Sequence, residues 1–415
     1  MNKKSLFLFI PFFFSQLYIT GLMLIISVLA IIYSLVREKK LFISKELILI
    51  SSIPLLAFIS LWFSLFLFSE GNIYNILKDV MYFVQAPIYF YFGYITIRTK
   101  KYDINEVLKV IVLAITLLSF VNILKMPFQL SSLSLIGVYS RVNFEFDNEF
   151  SIFVILILRC LKFTNDSLFT KKIDTLFLIV ALISLGLSFS RTNFVVALLI
   201  YFVPYLEKIY LSRKLMALFL FFVVVNIFGG QFIDIEVSNL ENVTFVEKVK
   251  HSFSEVIVRK LDTSKEISDN WRGYEAYMGV EKYLSGNPIQ LAIGQGLGTN
   301  VKTPYWIFNG EYLNVIPIFH NGFITILLKS GMIGLLSIFL FLWLLANTKE
   351  YKGRWKLKPY VLCKAALGYY ILSTTLVTHG LFTKEAPFIC LFLLGSISAL
   401  LYLKKEEAIG FRENS

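Results

Sequence analysis

Three side chains at the edges of hydrophobic segments are the best suited to chemistry. Arg191 lies in the sequence Ser-Phe-Ser-Arg-Thr, Arg272 in Trp-Arg-x-x-Glu and His320 in His-Asn-Gly. A guanidinium group stays protonated and binds phosphate or carboxylate oxygens in pairs. An imidazole exchanges a proton near neutral pH. These residue types could hold an anionic group and move a proton, provided that the fold brings them together.

A second set of polar residues also lies near the ends of hydrophobic segments. Ionisable groups near membrane depth are often functional, but they can equally form pairs that neutralise one another. The candidates for substrate contacts are Arg141, Glu145, Asp147, Asn321, Lys329 and His379. The three His are far apart in the sequence, and the three Cys lie in or at the ends of hydrophobic segments. We therefore expect no metal site, no cofactor and no disulfide framework.

Composition indicates what must position these residues. The chain is 57% hydrophobic and 16% charged, with a mean hydropathy of +0.70, which excludes an ordinary soluble enzyme. Because a membrane helix needs about 20 apolar residues, the apolar runs predict an all-α polytopic membrane protein with about twelve spans. Residues 5–36 are expected to form a hairpin of two short helices. The other spans are predicted at 46–68, 75–97, 106–124, 148–163, 173–189, 191–207, 213–230, 320–346, 359–378 and 386–403.

Charge distribution predicts the orientation. The basic clusters fall at one set of alternating ends, which are cytoplasmic by the positive-inside rule. The long loop 231–319 falls on the other side and carries 8 basic and 11 acidic residues. The net charge of +12 is therefore topological and indicates no nucleic-acid partner. The expected organisation is helices one to nine over 1–230, the loop over 231–319, helices ten to twelve over 320–403 and a cytoplasmic tail over 404–415.

The long loop contains predicted structure of its own. Apolar residues at helical spacing predict an amphipathic helix over 245–261. A second helix is expected to begin at Ser268-Asp269-Asn270 and to end at Gly286-Asn287-Pro288. The glycine-rich turn over 294–298 could bring backbone amides close to a ligand, but it lacks the sequence of a phosphate-binding P-loop.

The motifs occur in a recognisable order. Ser-Phe-Ser-Arg-Thr precedes the long loop, Trp-Arg-x-x-Glu and the glycine-rich turn lie within it, and His-Asn-Gly opens a span that continues as Lys-Ser-Gly-Met-Ile-Gly. This order resembles the O-antigen ligase and polymerase superfamily of bacterial inner membranes. The resemblance implies a membrane glycosyltransferase (GT-C-like) fold and glycosyl transfer on the periplasmic face, without a nucleotide sugar or a metal. It also implies that Arg191, Arg272 and His320 are the catalytic residues.

The resemblance leaves several activities open. A polymerase would transfer the growing glycan from undecaprenyl pyrophosphate to the next lipid-linked repeat unit, and a ligase would transfer it to lipid A-core. The Phe- and Tyr-rich spans favour the polymerase of an O-antigen, capsule or exopolysaccharide. A transporter or flippase for the same lipid-linked glycans is the second alternative. The expected partners are the lipid-linked donor and acceptor, the bilayer, and a chain-length regulator and flippase of the same pathway.

Overall fold

The protein is a bundle of helices connected by mostly short loops. The computed structural model describes residues 8–13, 20–68, 73–129, 150–187, 191–208, 212–230, 255–263, 266–267, 270–303, 307–308, 311–312, 315–316, 318–347, 357–378, 380–382 and 388–413. Residues 8–13 are helical. The helices before the long loop are α1 (Thr20–Glu38), α2 (Lys45–Phe68), α3 (Ile73–Arg98), α4 (Ile104–Gln129), α5 (Ser151–Phe163), α6 (Lys171–Leu187), α7 (Arg191–Lys208) and α8 (Ser212–Gly229).

The later elements begin inside the long loop. They are α9 (Trp271–Leu284), α10 (Pro288–Ile293), β1 (Val301–Lys302), β2 (Ile307–Phe308), β3 (Glu311–Tyr312), β4 (Val315–Ile316), α11 (Gly322–Leu345), α12 (Lys358–Val377) and α13 (Phe388–Glu413). The strands form two antiparallel pairs, one within the other, with β2 paired to β3 and β1 paired to β4. The helix predicted to end near Gly286 is confirmed as α9.

Seven helices of the described residues are long and apolar enough to cross a membrane. They are Gly21–Glu38, Lys45–Phe63, Ile73–Arg98, Ile104–Leu124, Gly322–Leu345, Lys358–Val377 and Phe388–Ala408. The prediction of an all-α polytopic membrane protein is confirmed at this level. Twelve spans and the GT-C-like architecture remain predictions, and the turn expected within 5–36 falls largely outside the described residues.

The centre of the bundle is formed by α11 with α2, α12 and α10, and by the close pair α3 and α13. At the α3–α13 crossing, a Cβ on Gly93 would lie 2.0 Å from the carbonyl oxygen of Phe392. A Cβ on Gly395 would lie equally close, at 2.0 Å, to the carbonyl oxygen of Phe90. Small residues at such a crossing allow two membrane helices to approach at backbone distance.

The amphipathic helix predicted over 245–261 is wrong for its described part. Residues 255–261 form a turn and then backbone without regular secondary structure. The side chain of Asn226 in α8 donates to the carbonyl of Val256 at 2.9 Å and accepts from the amide of Val258 at 3.1 Å. These tertiary hydrogen bonds tie the segment to α8, and they override its helical periodicity. Residues 245–254 lie outside the described residues.

Candidate active site

An imidazole and a buried carboxylate meet where the long loop returns to the membrane helices. His320 directly precedes Asn321, the residue that caps α11, and Glu275 lies in the second turn of α9. Oε2 of Glu275 lies 2.6 Å from Nδ1 of His320. The same oxygen accepts a hydrogen bond from the backbone amide of His320 at 3.2 Å. The Glu275 side chain is 3% exposed, whereas that of His320 is 37% exposed. The pair therefore lies at the boundary between the interior and the surface.

The contact determines how the imidazole can act. A carboxylate accepts hydrogen bonds, so Nδ1 of His320 is the protonated nitrogen of the neutral ring. The basic nitrogen of that tautomer is Nε2, and the carboxylate fixes the orientation of the ring. The pair is suited to general-base chemistry.

Arg272 lies one turn before Glu275 on α9. Its Nη1 is 3.7 Å from Oε2 of Glu255, and the two side chains are 29% and 16% exposed. The spacing of three residues would also allow an ion pair between Arg272 and Glu275. In the structure Glu275 contacts His320, and Glu255 contacts Arg272. A partly exposed guanidinium in a loose ion pair can exchange its carboxylate for phosphate oxygens.

The segment that carries Glu255 is anchored to the first turn of α9. Nη2 of Arg259 donates to Oδ1 of Asn270 at 2.6 Å, and a Cβ on Gly273 would lie 2.3 Å from the carbonyl oxygen of Ile257. Asn270 was expected to cap α9, but its side chain makes no cap hydrogen bond. Burial lowers the pKa of Arg259. Two segments of the long loop are thus held together beside Arg272.

The glycine-rich turn lies inside the bundle, against a break in α11. Gly331 has φ 68° and ψ −168°, which interrupts the helix. The carbonyls of Leu328 and Lys329 accept instead from the amides of Gln295 at 2.7 Å and Gly296 at 3.3 Å. The sequence allows these amides to approach a ligand. In the structure they satisfy the helix break instead, because a backbone group in a membrane interior must find a protein partner.

A buried ion pair lies beside the same turn. Nζ of Lys329 donates to Oδ2 of Asp79 in α3, and both side chains are 0% exposed. The amide of Gly298 donates to the same carboxylate oxygen at 2.7 Å. Asp79 therefore joins α3, the glycine-rich turn and α11. Lys329, a sequence candidate for substrate contacts, points into this buried pair.

Asn321 combines a structural bond with a spare donor. Its Oδ1 accepts from the amide of Phe323 at 3.1 Å, which caps α11. Its Nδ2 is buried and makes no hydrogen bond within the described residues. Since a buried donor without a partner is costly, this amide is suited to bind a ligand oxygen beside His320.

The other sequence candidates are only partly placed. Arg191 is the first residue of α7, but its side chain belongs to the part of the chain that is not described. Arg141, Glu145, Asp147 and His379 also lie outside the described residues. Among the residues that are described, no group of three or more His, Cys, Asp or Glu could hold a metal ion. The structure brings His320 into contact with Glu275, which lies one helical turn after Arg272, and places Asn321 next to His320 at the start of α11.

Glu275 is the residue whose role was missed from the sequence. The motif Trp-Arg-x-x-Glu places Glu275 one helical turn after Arg272, and that spacing favoured a local ion pair. Little in the sequence indicates that Glu275 contacts His320 instead of Arg272. The partner that Glu275 contacts lies 45 positions further along the chain, and only the packing of α9 against α11 brings the two together.

The fold and this site define a polytopic membrane protein with an imidazole–carboxylate pair at the mouth of its helix bundle. A family model described as O-antigen ligase matches residues 176–340. The resemblance to the O-antigen ligase and polymerase superfamily is confirmed over that region, which contains Arg191, Arg272, Glu275 and His320. Among curated proteins and among solved structures, nothing matches the chain. The match supports ligase- or polymerase-type activity at the level of the family.

Proposed function

We propose that the protein is a polymerase of lipid-linked oligosaccharide repeat units in a bacterial cytoplasmic membrane. It transfers the growing glycan from undecaprenyl pyrophosphate to the next lipid-linked repeat unit, on the periplasmic face. The repeat unit is that of an O-antigen, a capsule or an exopolysaccharide. The observation that carries the proposal is the contact between Glu275 and His320, one helical turn from Arg272. The family match supports the reaction class.

His320 acts as the general base in the proposed reaction. Nε2 removes the proton of the acceptor hydroxyl as that oxygen attacks the anomeric carbon of the donor sugar. The new bond joins the acceptor oxygen to the anomeric carbon. The bond between the anomeric carbon and the pyrophosphate oxygen breaks, and the pyrophosphate leaves with the electron pair. Direct attack in one displacement inverts the anomeric configuration.

Arginine side chains stabilise the departing group. Undecaprenyl pyrophosphate carries negative charge that increases on its leaving oxygen, and a guanidinium binds such oxygens in pairs. Arg272 takes this role from the loop helix and Arg191 from the start of α7. Glu255 holds Arg272 before the donor binds. The Nδ2 of Asn321 binds a sugar or phosphate oxygen beside the base.

A ligase is the second candidate. The description of the matching family favours it, and the chemistry at the anomeric carbon is the same with lipid A-core as the acceptor. A flippase would need a pathway along broken helices. The helix break at Gly331 is closed by the amides of Gln295 and Gly296, which argues against a pathway at that point.

The ladder of surface glycans in a deletion strain tests these candidates. The strain is complemented with the wild type, His320→Ala or Arg272→Ala. Lys282→Ala is the control, because Lys282 is an exposed cation on α9, the helix that carries Arg272. All variants are compared at matched membrane levels. We expect His320→Ala to lower the transfer rate by about 10²–10⁴-fold, the range for a general acid or base. Arg272→Ala should lower it by about 10²–10³-fold, the range for removing one group that stabilises developing charge, and the control should retain the ladder.

The shape of the ladder separates the activities. Core bearing a single repeat unit indicates the polymerase. Unmodified core, with polymer accumulating on undecaprenyl pyrophosphate, indicates the ligase and overturns the polymerase proposal. An unchanged ladder in His320→Ala and Arg272→Ala would overturn the site.

A further inference from the structure

A groove lies between α1 and the C-terminal part of α3, several turns along α3 from Asp79. Its volume is about 400 Å³, within the range of small-molecule sites. Most of its lining is apolar, and the polar groups lie towards one end. The residues that define it here are Ile26, Ala30, Phe92, Ile95, Thr99 and Lys101. Both helices are long and apolar enough to cross a membrane, and in that arrangement the groove would be open to lipid.

The mouth of the groove is basic. Nζ of Lys101 lies 4.5 Å from the centre of the Tyr33 ring, and both residues line the groove. The chain just beyond the lining adds Arg37, Lys39, Lys40 and Lys100. The neighbouring Arg98 is held by Glu406 at 2.5 Å. Among the described residues, no carboxylate oxygen forms an ion pair with Lys101 within 4.0 Å.

The helix on one side of the groove is poorly packed. Only 17% of the α1 span is buried, against 67% of the α3 span. The hydroxyls of Thr96 and Thr99 donate to the carbonyls of Phe92 at 2.7 Å and Ile95 at 2.8 Å. These threonines therefore present mainly their apolar faces and an oxygen acceptor to the groove. An apolar slot with a cation at its mouth matches one acyl chain below an anionic headgroup.

We propose that this groove binds an anionic phospholipid, with an acyl chain between α1 and α3 and its phosphate at Lys101. Basic pockets between membrane helices on the cytoplasmic side are suited to anionic headgroups, and the charge pattern predicts that side for this end. The bound lipid fills the space that α1 leaves open against α3. The proposal is independent of the glycosyl-transfer reaction proposed at His320.

Native mass spectrometry of the purified full chain tests the site. The protein is released from nanodiscs that contain equal amounts of phosphatidylglycerol and phosphatidylcholine. We compare the wild type with Lys101→Glu, which reverses the headgroup charge, and with Ala30→Phe, which fills the groove. Lys172→Glu is the matched control, because Lys172 is an exposed cation in another basic cluster, outside the groove.

We expect the wild type and Lys172→Glu to retain one phosphatidylglycerol per chain. Lys101→Glu should bind it at least about tenfold more weakly, since one basic residue is lost and its charge reversed. Ala30→Phe should lose the lipid whatever its headgroup. Thermal unfolding supplies a second measurement, because a ligand that binds only the folded state raises the unfolding temperature. Phosphatidylglycerol should raise it for the wild type and for Lys172→Glu only.

Three results would overturn the proposal. Equal retention of phosphatidylglycerol and phosphatidylcholine would show a non-selective lipid contact. Equal loss of lipid in Lys101→Glu and Lys172→Glu would show a general charge effect. A second copy of the chain in place of lipid would show a protein interface. Since Lys101 is remote from the candidate active site, normal glycan transfer by Lys101→Glu would separate this result from a failure of the proposed function.

Discussion

Two carboxylates in this molecule each meet one basic side chain, in very different surroundings. Glu275 and His320 lie at the mouth of the bundle, where the imidazole is 37% exposed. Asp79 and Lys329 lie inside the bundle, where both side chains are 0% exposed. A base at the boundary can exchange its proton with a substrate, whereas a fully buried ammonium can only hold its neighbours in place. The two pairs differ in whether solvent and substrate can reach the basic side chain.

The interior pair offers the largest expected effect. Lys329→Met leaves the Asp79 carboxylate buried without its cation, which we expect to cost about 3–5 kcal/mol of folding stability. The double variant Asp79→Asn/Lys329→Met removes both charges and should recover most of the loss. Thermal unfolding of the purified protein in detergent measures both. Lys404→Met is the control, since its partner Glu407 is about as exposed as Lys404 and such pairs contribute about 0–1 kcal/mol.

Two results would contradict the comparison between the two pairs. If Lys329→Met were as stable as the wild type but inactive, the interior pair would take part in chemistry. If the double variant stayed as unstable as the worse single variant, the buried charges would not be compensating one another.

The pair at the boundary should respond in activity and not in stability. Glu275→Gln removes the charge that orients His320, and we expect about a hundredfold loss in kcat/KM from misplacement of the base. Glu281→Gln, on an exposed position of the same helix, should leave kcat/KM unchanged. In the His320→Ala background the Glu275→Gln change should have little further effect, because the two residues act as one unit. Additive losses would contradict a positioning role.

The glycine-rich turn should show a smaller effect on stability. Gly294 has φ +93°, and an added Cβ would lie 2.3 Å from the carbonyl carbon of Lys329. We expect Gly294→Ala to cost about 1–3 kcal/mol through backbone strain and to weaken the contact that closes the break in α11. Gly186→Ala is the control, because its Cβ would meet nothing within 4 Å. Equal unfolding temperatures for these two variants would show that the turn can move away.

The helices could be predicted from the sequence because their signals are local. A run of apolar residues determines that a segment enters a membrane, and Gly286-Asn287-Pro288 marks the end of α9 because Asn287 caps the next helix. The motifs predict His320 and Arg272 as site residues, and this stays a prediction. The contact of Glu275 was less predictable, since nothing in the neighbouring sequence shows that its side chain would contact His320 instead of Arg272.

Contacts between distant segments could not be predicted in the same way. Asp79 and Lys329 are 250 positions apart, and their pairing depends on where the whole bundle places α3 and α11. The segment 255–261 has helical periodicity, yet the side chain of Asn226 offers its backbone hydrogen-bond partners outside a helix. The glycine-rich turn resembles a ligand loop because glycine permits close approach to a phosphate or to another backbone alike. Here the approach is to α11.

The closure of α11 by the glycine-rich turn has a practical consequence for protein engineering. The part of the long loop around Gln295 and Gly296 cannot be cut from the membrane part without loss, because its backbone completes the hydrogen bonds of a membrane helix. An isolated loop fragment would lack its supporting surface and would present a different shape as an antigen. A chimera that exchanges loops between relatives would have to transfer α11 and the facing part of α3 with it.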